Sequence, residues 1–255
     1  MSLIFDTHAH YDDSAFNEDR EEKLSSLPND NIYAVINAGA DIESSKKSIN
    51  LSENYPYIYA AVGIHPENIS STPKDYISRL EKLILSGKKV VGVGEIGLDY
   101  HYTKENKQQQ KALFESQVKL AIKHDLPVIV HDREAHADTM EILKKHKPRG
   151  VVHCFSGSLE MAKEVIKLGM YIGIGGVVTF KNAKNIVDVA ENISLEHIVL
   201  ETDAPYMAPA PFRGKRCDSS YIKYTAEKIS EIKNIDLKEV FEITKQNAKN
   251  LFGVK

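Results

Sequence analysis

Residues 93–99, VGEIGLD, end a short apolar run with acidic side chains. Further apolar runs along the chain end in the same way, with histidine or acidic residues: FDTHAH at 5–10, VGIHP at 62–66, VIVHD at 128–132, VVHCF at 151–155 and VLETDAP at 199–205. One such residue at one strand end means little. In a (β/α)8 barrel, however, all strands point the same way and the chemistry lies where they end. The pattern therefore predicts a barrel with a metal site at its carboxyl end.

The length and composition indicate one ordered domain. At 255 residues the chain is long enough for one α/β barrel, and we expect a single domain over residues 1–255. Hydrophobic and charged contents of 42% and 27% are typical of a soluble globular protein. No apolar stretch reaches the roughly 18 residues of a bilayer span, so no membrane association is expected. The start, MSLIFDTHAH, lacks the basic region of a secretory signal, which predicts a cytoplasmic protein.

The net charge excludes a global attraction to polyanions. The 33 Lys+Arg and 36 Asp+Glu give a charge of −3, so any nucleic acid must be bound by a local group of cations. Two cysteines, Cys154 and Cys217, cannot form a disulfide framework. Beside ten histidines they also argue against a thiolate-rich zinc site. A monomer is expected.

Runs rich in Val and Ile alternate with longer amphipathic stretches along the whole chain, without a linker. We predict eight strands: Leu3–Phe5, Ile32–Asn37, Ile58–Gly63, Val90–Glu95, Pro127–Val130, Val151–Phe155, Tyr171–Ile174 and Ile198–Glu201. Near-continuous apolar runs suit parallel strands that are buried on both faces, and helices between them supply the crossovers. Residues 219–252 are predicted to form two final helices. The pattern indicates an α/β fold, either a doubly wound sheet or, as we favour, a single-domain (β/α)8 TIM barrel.

Six side chains at or just beyond the predicted strand ends are candidate metal ligands: His8, His10, Glu95, His131, His153 and Asp203. His8 and His10 are two residues apart, so their rings point to the same side of a strand. The set of four imidazoles and two carboxylates suits Zn, Mn, Fe or Ni, with Mg as a further candidate. Six ligands exceed the number that one tetrahedral ion uses, so we predict two divalent ions bridged by Glu95. The alternative is that each histidine forms hydrogen bonds with backbone groups. This alternative explains one isolated residue better than six residues that all coincide with predicted strand ends.

The same residues belong to an ordered series of motifs: DTHAH, VGIHP, GEIGLDY, PVIVHDREA, HCFSG, ETDAPY, RGKR and the tail NAKNLFG. The series covers essentially the whole chain and resembles the TatD family of metal-dependent deoxyribonucleases, within the amidohydrolase superfamily. The resemblance implies a (β/α)8 barrel, two divalent ions and hydrolysis of phosphodiester bonds in DNA. The ligands that it implies are the same six residues. After RGKR the family continues with an Asn-Glu-Pro run, whereas this chain has Cys217, Asp218 and Ser219.

Two residues are candidates for the catalytic steps. A metal-bridging hydroxide is the expected nucleophile. Asp203 is predicted to be both a ligand and the general base that orients or deprotonates the attacking water. His65, in VGIHP, resembles a family position near the substrate, and we expect it to bond a phosphate oxygen or to protonate the leaving group. Alternatively, His65 caps the turn that Pro66 imposes.

Four cations are candidates for phosphate binding at the mouth of the barrel. Arg133 lies two residues beyond His131, and the cluster Arg213, Lys215 and Arg216 follows the eighth predicted strand. Phosphate sites in barrels favour that end of the chain, although a basic loop is also a common solvated surface feature.

The leading prediction is a divalent-metal-dependent deoxyribonuclease, with RNA as a further candidate substrate. The sequence does not decide between exonuclease and endonuclease action, although we favour an exonuclease. Residues 92–97 match G-x-G-x-x-G, but no helix is predicted to open there, so no nucleotide cofactor is expected. A small cyclic amide, a lactone or a phosphotriester is the alternative substrate on the same metal pair. A metal-binding protein without turnover is the alternative from another class, and a missing ligand would favour it.

Overall fold

A computed structural model describes residues 3–101 and 105–255 and contains one sheet of eight strands in sequential order. The strands are β1 (Ile4–Ala9), β2 (Ile32–Ala38), β3 (Ile58–Val62), β4 (Val90–Asp99), β5 (Val128–Arg133), β6 (Gly150–Val152), β7 (Tyr171–Ile174) and β8 (Ile198–Leu200). All neighbouring strands pair in parallel, and helices between them supply the crossovers. The predicted (β/α)8 TIM barrel is therefore confirmed.

The helices in the described ranges are α1 (Arg20–Ser26), α2 (Ile42–Asn54), α3 (Tyr76–Ser86), α4 (Lys107–Lys123), α5 (His136–His146), α6 (Leu159–Lys167), α7 (Lys184–Asn192), α8 (Ile222–Lys233) and α9 (Leu237–Phe252). The last two form the predicted pair of helices after the eighth strand. Within the described part of the chain, no helix has both the length and the apolar character needed to cross a membrane.

The barrel is nearly closed between β1 and the segment after β8. The Asp203 N–H donates to the His8 carbonyl over 2.9 Å. Nearer the start of β1, a side chain makes the contact with β8 in place of the backbone. There the Thr7 hydroxyl donates to the Leu200 carbonyl at 3.0 Å. This closure brings Asp203 beside β1, although the two segments lie at opposite ends of the sequence.

The interior of the barrel is apolar towards the amino ends of the strands. One buried cluster combines side chains from strands on opposite sides of the barrel: Phe5, Ile36, Ala61, Ile129, Val151 and Val199. The end of α9 adds Leu251 and Phe252 to the same cluster. Because apolar groups fill this half of the interior, the polar side chains of the strands collect at the carboxyl ends.

The strands differ from their predicted bounds mainly at the carboxyl ends. β1, β4 and β5 extend three or four residues beyond the predicted ends, to Ala9, Asp99 and Arg133. The parallel ladder continues through polar residues there, and an apolar run cannot indicate that continuation. β6 instead ends early, at Val152, so His153 lies just beyond it.

Candidate metal centre

The six predicted ligands meet at the carboxyl end of the barrel, where their side chains are buried or half-buried. Three lie within strands, and three follow a strand by one to three residues: His8 on β1, Glu95 on β4, His131 on β5, His10 after β1, His153 after β6 and Asp203 after β8. The closed sheet therefore brings together residues that are up to 195 positions apart in the chain.

The Glu95 carboxylate lies between two groups of donor atoms. Its Oε2 is 3.3 Å from His8 Nε2 and 3.4 Å from His10 Nε2. Its Oε1 is 2.8 Å from both His131 Nδ1 and His153 Nε2. Each carboxylate oxygen thus faces a different pair of imidazoles, which is the arrangement a bridging ligand requires.

The first donor group consists of His8, His10, Asp203 and Glu95 Oε2. The two Nε2 atoms are 3.0 Å apart, and Asp203 Oδ1 lies 3.6 Å from His8 and 3.5 Å from His10. Four ligands placed tetrahedrally about 2.1 Å from a metal ion are about 3.4 Å from one another. The observed separations of 3.0 to 3.6 Å therefore fit a divalent ion.

The second donor group consists of His131, His153 and Glu95 Oε1. His153 Nε2 lies 3.4 Å from His131 Nδ1. His65 adjoins this group, because its Nε2 is 3.5 Å from Glu95 Oε1. Its other nitrogen, Nδ1, accepts the Glu67 N–H at 3.2 Å and caps a turn that begins at Pro66. His65 therefore combines the predicted position near the site with the alternative role of a cap.

Backbone and side-chain partners fix the orientation of two imidazoles. His10 Nδ1 donates to the Ala38 carbonyl at 2.8 Å, which leaves Nε2 to face the first donor group. His131 Nε2 donates to Asp99 Oδ2 at 3.0 Å, which leaves Nδ1 to face the second. Such partners set the tautomer and raise the basicity of a metal ligand. The sequence analysis missed Asp99, although it lies four residues after Glu95 and so faces the same side of β4.

Gly97 allows β4 and β5 to approach closely at the site. It pairs with His131 and has a φ of 152°. A Cβ atom at this position would overlap the His131 carbonyl. Only glycine tolerates this conformation together with this contact, so Gly97 helps to bring Glu95 and His131 together.

Burial and neighbouring charges shift the pKa values of the clustered side chains, and the direction of the shift differs between residues. Burial lowers the pKa of His8 to about 4 and that of His65 to about 3, so both rings are neutral at pH 7. Burial disfavours the Glu95 carboxylate, but the imidazoles of His153, His65 and His8 hold its pKa well below the usual range. Burial also opposes protonation of His131, yet hydrogen bonds to Asp99 and Glu95 raise its pKa to about 10. A bound cation would displace that proton.

Glu201 lies behind the ligands. Its Oε1 accepts the Cys154 N–H and is 3.8 Å from His153 Nδ1. Burial raises the pKa of Glu201 to about 7. Within the described ranges, Glu201 Oε2, His8 Nδ1 and His153 Nδ1 are buried without a hydrogen-bond partner. Glu201 therefore lies next to the His153 ring on its interior side and is not part of either donor group.

The segment that departs from the family pattern supports the loop after β8. The Ser219 hydroxyl and the Thr202 hydroxyl each donate to Asp6 Oδ2 at 2.6 Å. Thr202 directly precedes Asp203, so this buried network holds the chain beside a predicted ligand. The neighbouring Asp218 forms an ion pair with Lys23 at 3.0 Å.

A cavity of about 1410 Å³ opens over the donor groups, and three of the four predicted phosphate-binding cations line it: Arg133, Arg213 and Lys215. The guanidinium carbon of Arg213 lies 4.5 Å from the centre of the Phe180 ring, which also lines the cavity. Lys215 Nζ lies 5.8 Å from the Phe212 ring. Both exposed cations thus lie near an aromatic ring, which does not neutralise their charge.

The structure does not bring Arg216 to the cavity. Its guanidinium donates to Asp19, including a bond of 2.8 Å to Oδ1, and to the Ala15 carbonyl at 2.7 Å. It also lies 4.7 Å from the Phe16 ring. In this arrangement Arg216 joins the loop after β8 to the segment before α1, and it would have to leave Asp19 to contact substrate as predicted. Sequence proximity to Arg213 could not reveal the partner, because Asp19 is 197 residues away.

Comparisons with known proteins find relatives that match nearly the whole chain. The family described as TatD related DNase matches residues 5–253. YabD of Bacillus subtilis, an uncharacterized metal-dependent hydrolase, is 39% identical over 99% of this chain and 100% of its own length. The crystal structure of YjjV, a TatD homolog from Escherichia coli K12, has a TM-score of 0.94 and 33% identity over 100% of this chain and 99% of that chain. A TatD family hydrolase from Entamoeba histolytica shares the fold, with a TM-score of 0.87 and 24% identity over 98% of each chain. This chain therefore belongs to the TatD family of metal-dependent hydrolases.

Proposed function

We propose that this chain is a deoxyribonuclease that uses divalent metal ions to hydrolyse phosphodiester bonds, with residues 1–255 acting as one domain. The observation that carries the proposal is the Glu95 carboxylate, which faces a donor group with each oxygen beneath a cavity lined by cations. The family description supports DNA as the substrate, and RNA is a further candidate.

Two divalent ions would be held by the two donor groups, with Glu95 shared between them. The first group supplies His8, His10 and Asp203, and the second supplies His131 and His153. The mixture of imidazoles and carboxylates suits Zn, Mn, Fe or Ni, and Mg is a further candidate. When bound, such ions lower the pKa of a coordinated water and stabilise the negative charge that develops on phosphoryl oxygens.

Asp203 is the proposed general base as well as a ligand. Burial favours its neutral form, but the hydrogen bond with His10 and the neighbouring imidazoles hold the pKa of Asp203 below its usual value. The carboxylate is therefore ionised near neutral pH and can accept a proton from the attacking water. Asp203→Asn should retain most of the bound metal but lower kcat by roughly 10²- to 10⁴-fold. Near-normal turnover in a metal-loaded Asp203→Asn variant would remove this role.

His65 is the proposed hydrogen-bond donor to the substrate. Because Nδ1 accepts the Glu67 N–H, the neutral ring carries its proton on Nε2, which faces the second donor group. A protonated Nε2 is a hydrogen-bond donor and a poor metal ligand, so His65 is suited to a phosphate oxygen or the leaving oxygen. His65→Ala should lower kcat while the metal content stays unchanged. Unchanged kinetics would leave only its role as a cap.

Exonuclease action is favoured by the distribution of charge around the cavity. The end of β5, the start of α7 and the loop after β8 contribute four cations, beside the single carboxylate of Asp132 on β5: Arg133, Lys184, Arg213 and Lys215. Loops after β1, β2 and β3 contribute carboxylates: Asp12, Asp13, Asp41 and Glu67. Phosphates on one side of the scissile bond would be attracted and those on the other side repelled. A substrate whose strand ends near the metals avoids that repulsion.

The test is cleavage of 3′- and 5′-end-labelled single-stranded and duplex DNA with Mg²⁺, Mn²⁺ or Zn²⁺. Wild type should shorten the DNA from one end, and Glu95→Ala should not. Glu53→Ala removes an exposed carboxylate on α2 outside the cavity and is the matched control. If metal-loaded wild type cleaves no DNA, the site acts on the alternative substrates, a cyclic amide, a lactone or a phosphotriester. If it cleaves none of these, the chain is a metal-binding protein without turnover.

A further inference from the structure

Two buried glutamines lie on one face of α4. Gln110 and Gln117 are 1% and 0% exposed, although their helical neighbours Leu113, Phe114 and Val118 form an apolar face. Seven residues are almost two full turns of an α-helix, so the two amides point in the same direction. A buried amide has to form hydrogen bonds, because leaving its polar atoms unpaired is costly.

Each amide pairs with both backbone groups of one residue near the metal centre. Gln117 Oε1 accepts the Ile64 N–H at 2.8 Å, and its Nε2 donates to the Ile64 carbonyl at 3.0 Å. Gln110 Oε1 accepts the Asp99 N–H at 2.8 Å, and its Nε2 donates to the Asp99 carbonyl at 2.9 Å. The two side chains thus pair with backbone groups as a neighbouring strand would, Gln117 just beyond the end of β3 and Gln110 at the last residue of β4.

Both pairs lead to the same side of Glu95. Ile64 directly precedes His65, whose Nε2 is 3.5 Å from Glu95 Oε1. The Asp99 carboxylate accepts a bond from His131, whose Nδ1 is 2.8 Å from the same Oε1. In the described part of the chain, no side chain of α4 forms such a bond with the other ligands of the first donor group, which lie on or after β1 and after β8: His8, His10 and Asp203.

We propose that Gln110 and Gln117 are positioning residues at the second donor group, Gln110 for its ligand His131 and Gln117 for the adjoining His65. They hold the backbone of Asp99 and Ile64, and through these residues they set the places of His131 and His65. The ligands that belong only to the first donor group are not held in this way. The inference rests on the proposed pair of metal ions and does not depend on the identity of the substrate.

The test is titration of metal-free protein with Co²⁺ alone, followed by calorimetry and by the visible absorption of the bound ion. Wild type should bind two equivalents. Gln117→Met and Gln110→Met keep the volume of the side chain but lose both bonds. Gln117→Met frees only His65, which is not a proposed ligand, so it should leave both Co²⁺ dissociation constants within about twofold and lower kcat as His65→Ala does. Gln110→Met should raise one Co²⁺ dissociation constant about 10- to 100-fold, the usual effect of losing an orienting partner of a metal ligand. The other constant should stay within about twofold, and His131→Ala identifies which site has weakened.

Two further variants separate positioning from stability. Gln109→Met changes an exposed glutamine on the same helix and should leave both constants unchanged. Gln110→Glu keeps an acceptor for the Asp99 N–H but turns a second carboxylate oxygen towards the Asp99 carbonyl, so it should weaken the same site selectively in a folded protein.

Equal weakening of both sites, or of neither, in folded Gln110 variants would overturn the proposal, and so would an unchanged kcat in folded Gln117→Met. Binding of one equivalent by wild type would remove the metal pair and this inference together. Two equivalents without DNA cleavage would overturn the nuclease alone.

Discussion

The salt dependence of DNA binding separates the cations that line the cavity from the one that does not. Arg213 lines the cavity and is held against Phe180, whereas Arg216 is paired with Asp19. Both residues belong to the same short basic stretch, so the comparison of Arg213→Gln with Arg216→Gln keeps the change of net charge equal. Arg213→Gln should reduce the salt dependence, and Arg216→Gln should not.

The magnitude follows from the number of phosphates that the cavity can neutralise. Each contact to a single strand contributes about −0.7 to the slope of log K against log salt. Counting only the three predicted phosphate-binding residues that line the cavity, Arg133, Arg213 and Lys215, gives a slope of about −2.1, and loss of one gives about −1.4. Between 50 and 200 mM salt, binding should weaken about 20-fold for wild type and for Arg216→Gln, but only about 7-fold for Arg213→Gln.

The assay is fluorescence anisotropy of a labelled single-stranded oligonucleotide over that salt range. An Asp203→Asn background prevents cleavage during the measurement, and the three proteins are compared at one metal concentration. Equal slopes for all three would show that Arg213 does not contact phosphate. A reduced slope for Arg216→Gln would show that its ion pair with Asp19 opens on binding, contrary to the reasoning here.

Three further predictions concern the metal centre and the barrel. Glu95→Ala should lose both ions, measured by elemental analysis after dialysis, while Glu53→Ala should keep them; retention of one full equivalent by Glu95→Ala would argue against a bridge. Gly97→Ala should lower the free energy of unfolding by about 1–3 kcal/mol in urea, and by more than Gly169→Ala, whose Cβ would contact nothing within 4 Å. Chelation should lower the stability of the folded protein by about 2.7 kcal/mol for each bound ion whose free concentration was 100 times its Kd; an unchanged melting temperature would indicate that no ion was bound.

The barrel could be predicted from the sequence because its signals are local. An apolar run of three to six residues followed by a helical periodicity can be recognised within a short stretch of sequence. The crossovers between such runs indicate the order of the strands. Predicted ligands such as His8 and His131 were identifiable because parallel strands place their carboxyl ends at one edge. The strand bounds were less accurate, because hydropathy cannot show that a ladder continues through Asp99 or Arg133.

The partners of individual polar atoms could not be predicted. Arg213 and Arg216 are equivalent in the sequence, and only the position of Asp19 separates them. Gln110 and Gln117 were visible as glutamines on an apolar helix face, but their partners Asp99 and Ile64 lie on another element.

By itself, the sequence determined the class of the fold, the eight strands and the residue types gathered at their ends, since these depend on periodicity along the chain. Only the tertiary structure decided which Glu95 oxygen faces which imidazoles, which cations reach the cavity and which backbone groups α4 holds. The physical reason is that a hydrogen bond or an ion pair forms only when two atoms far apart in the chain are placed to within a few tenths of an ångström of the right distance. Those separations are set by the closure and packing of the whole barrel.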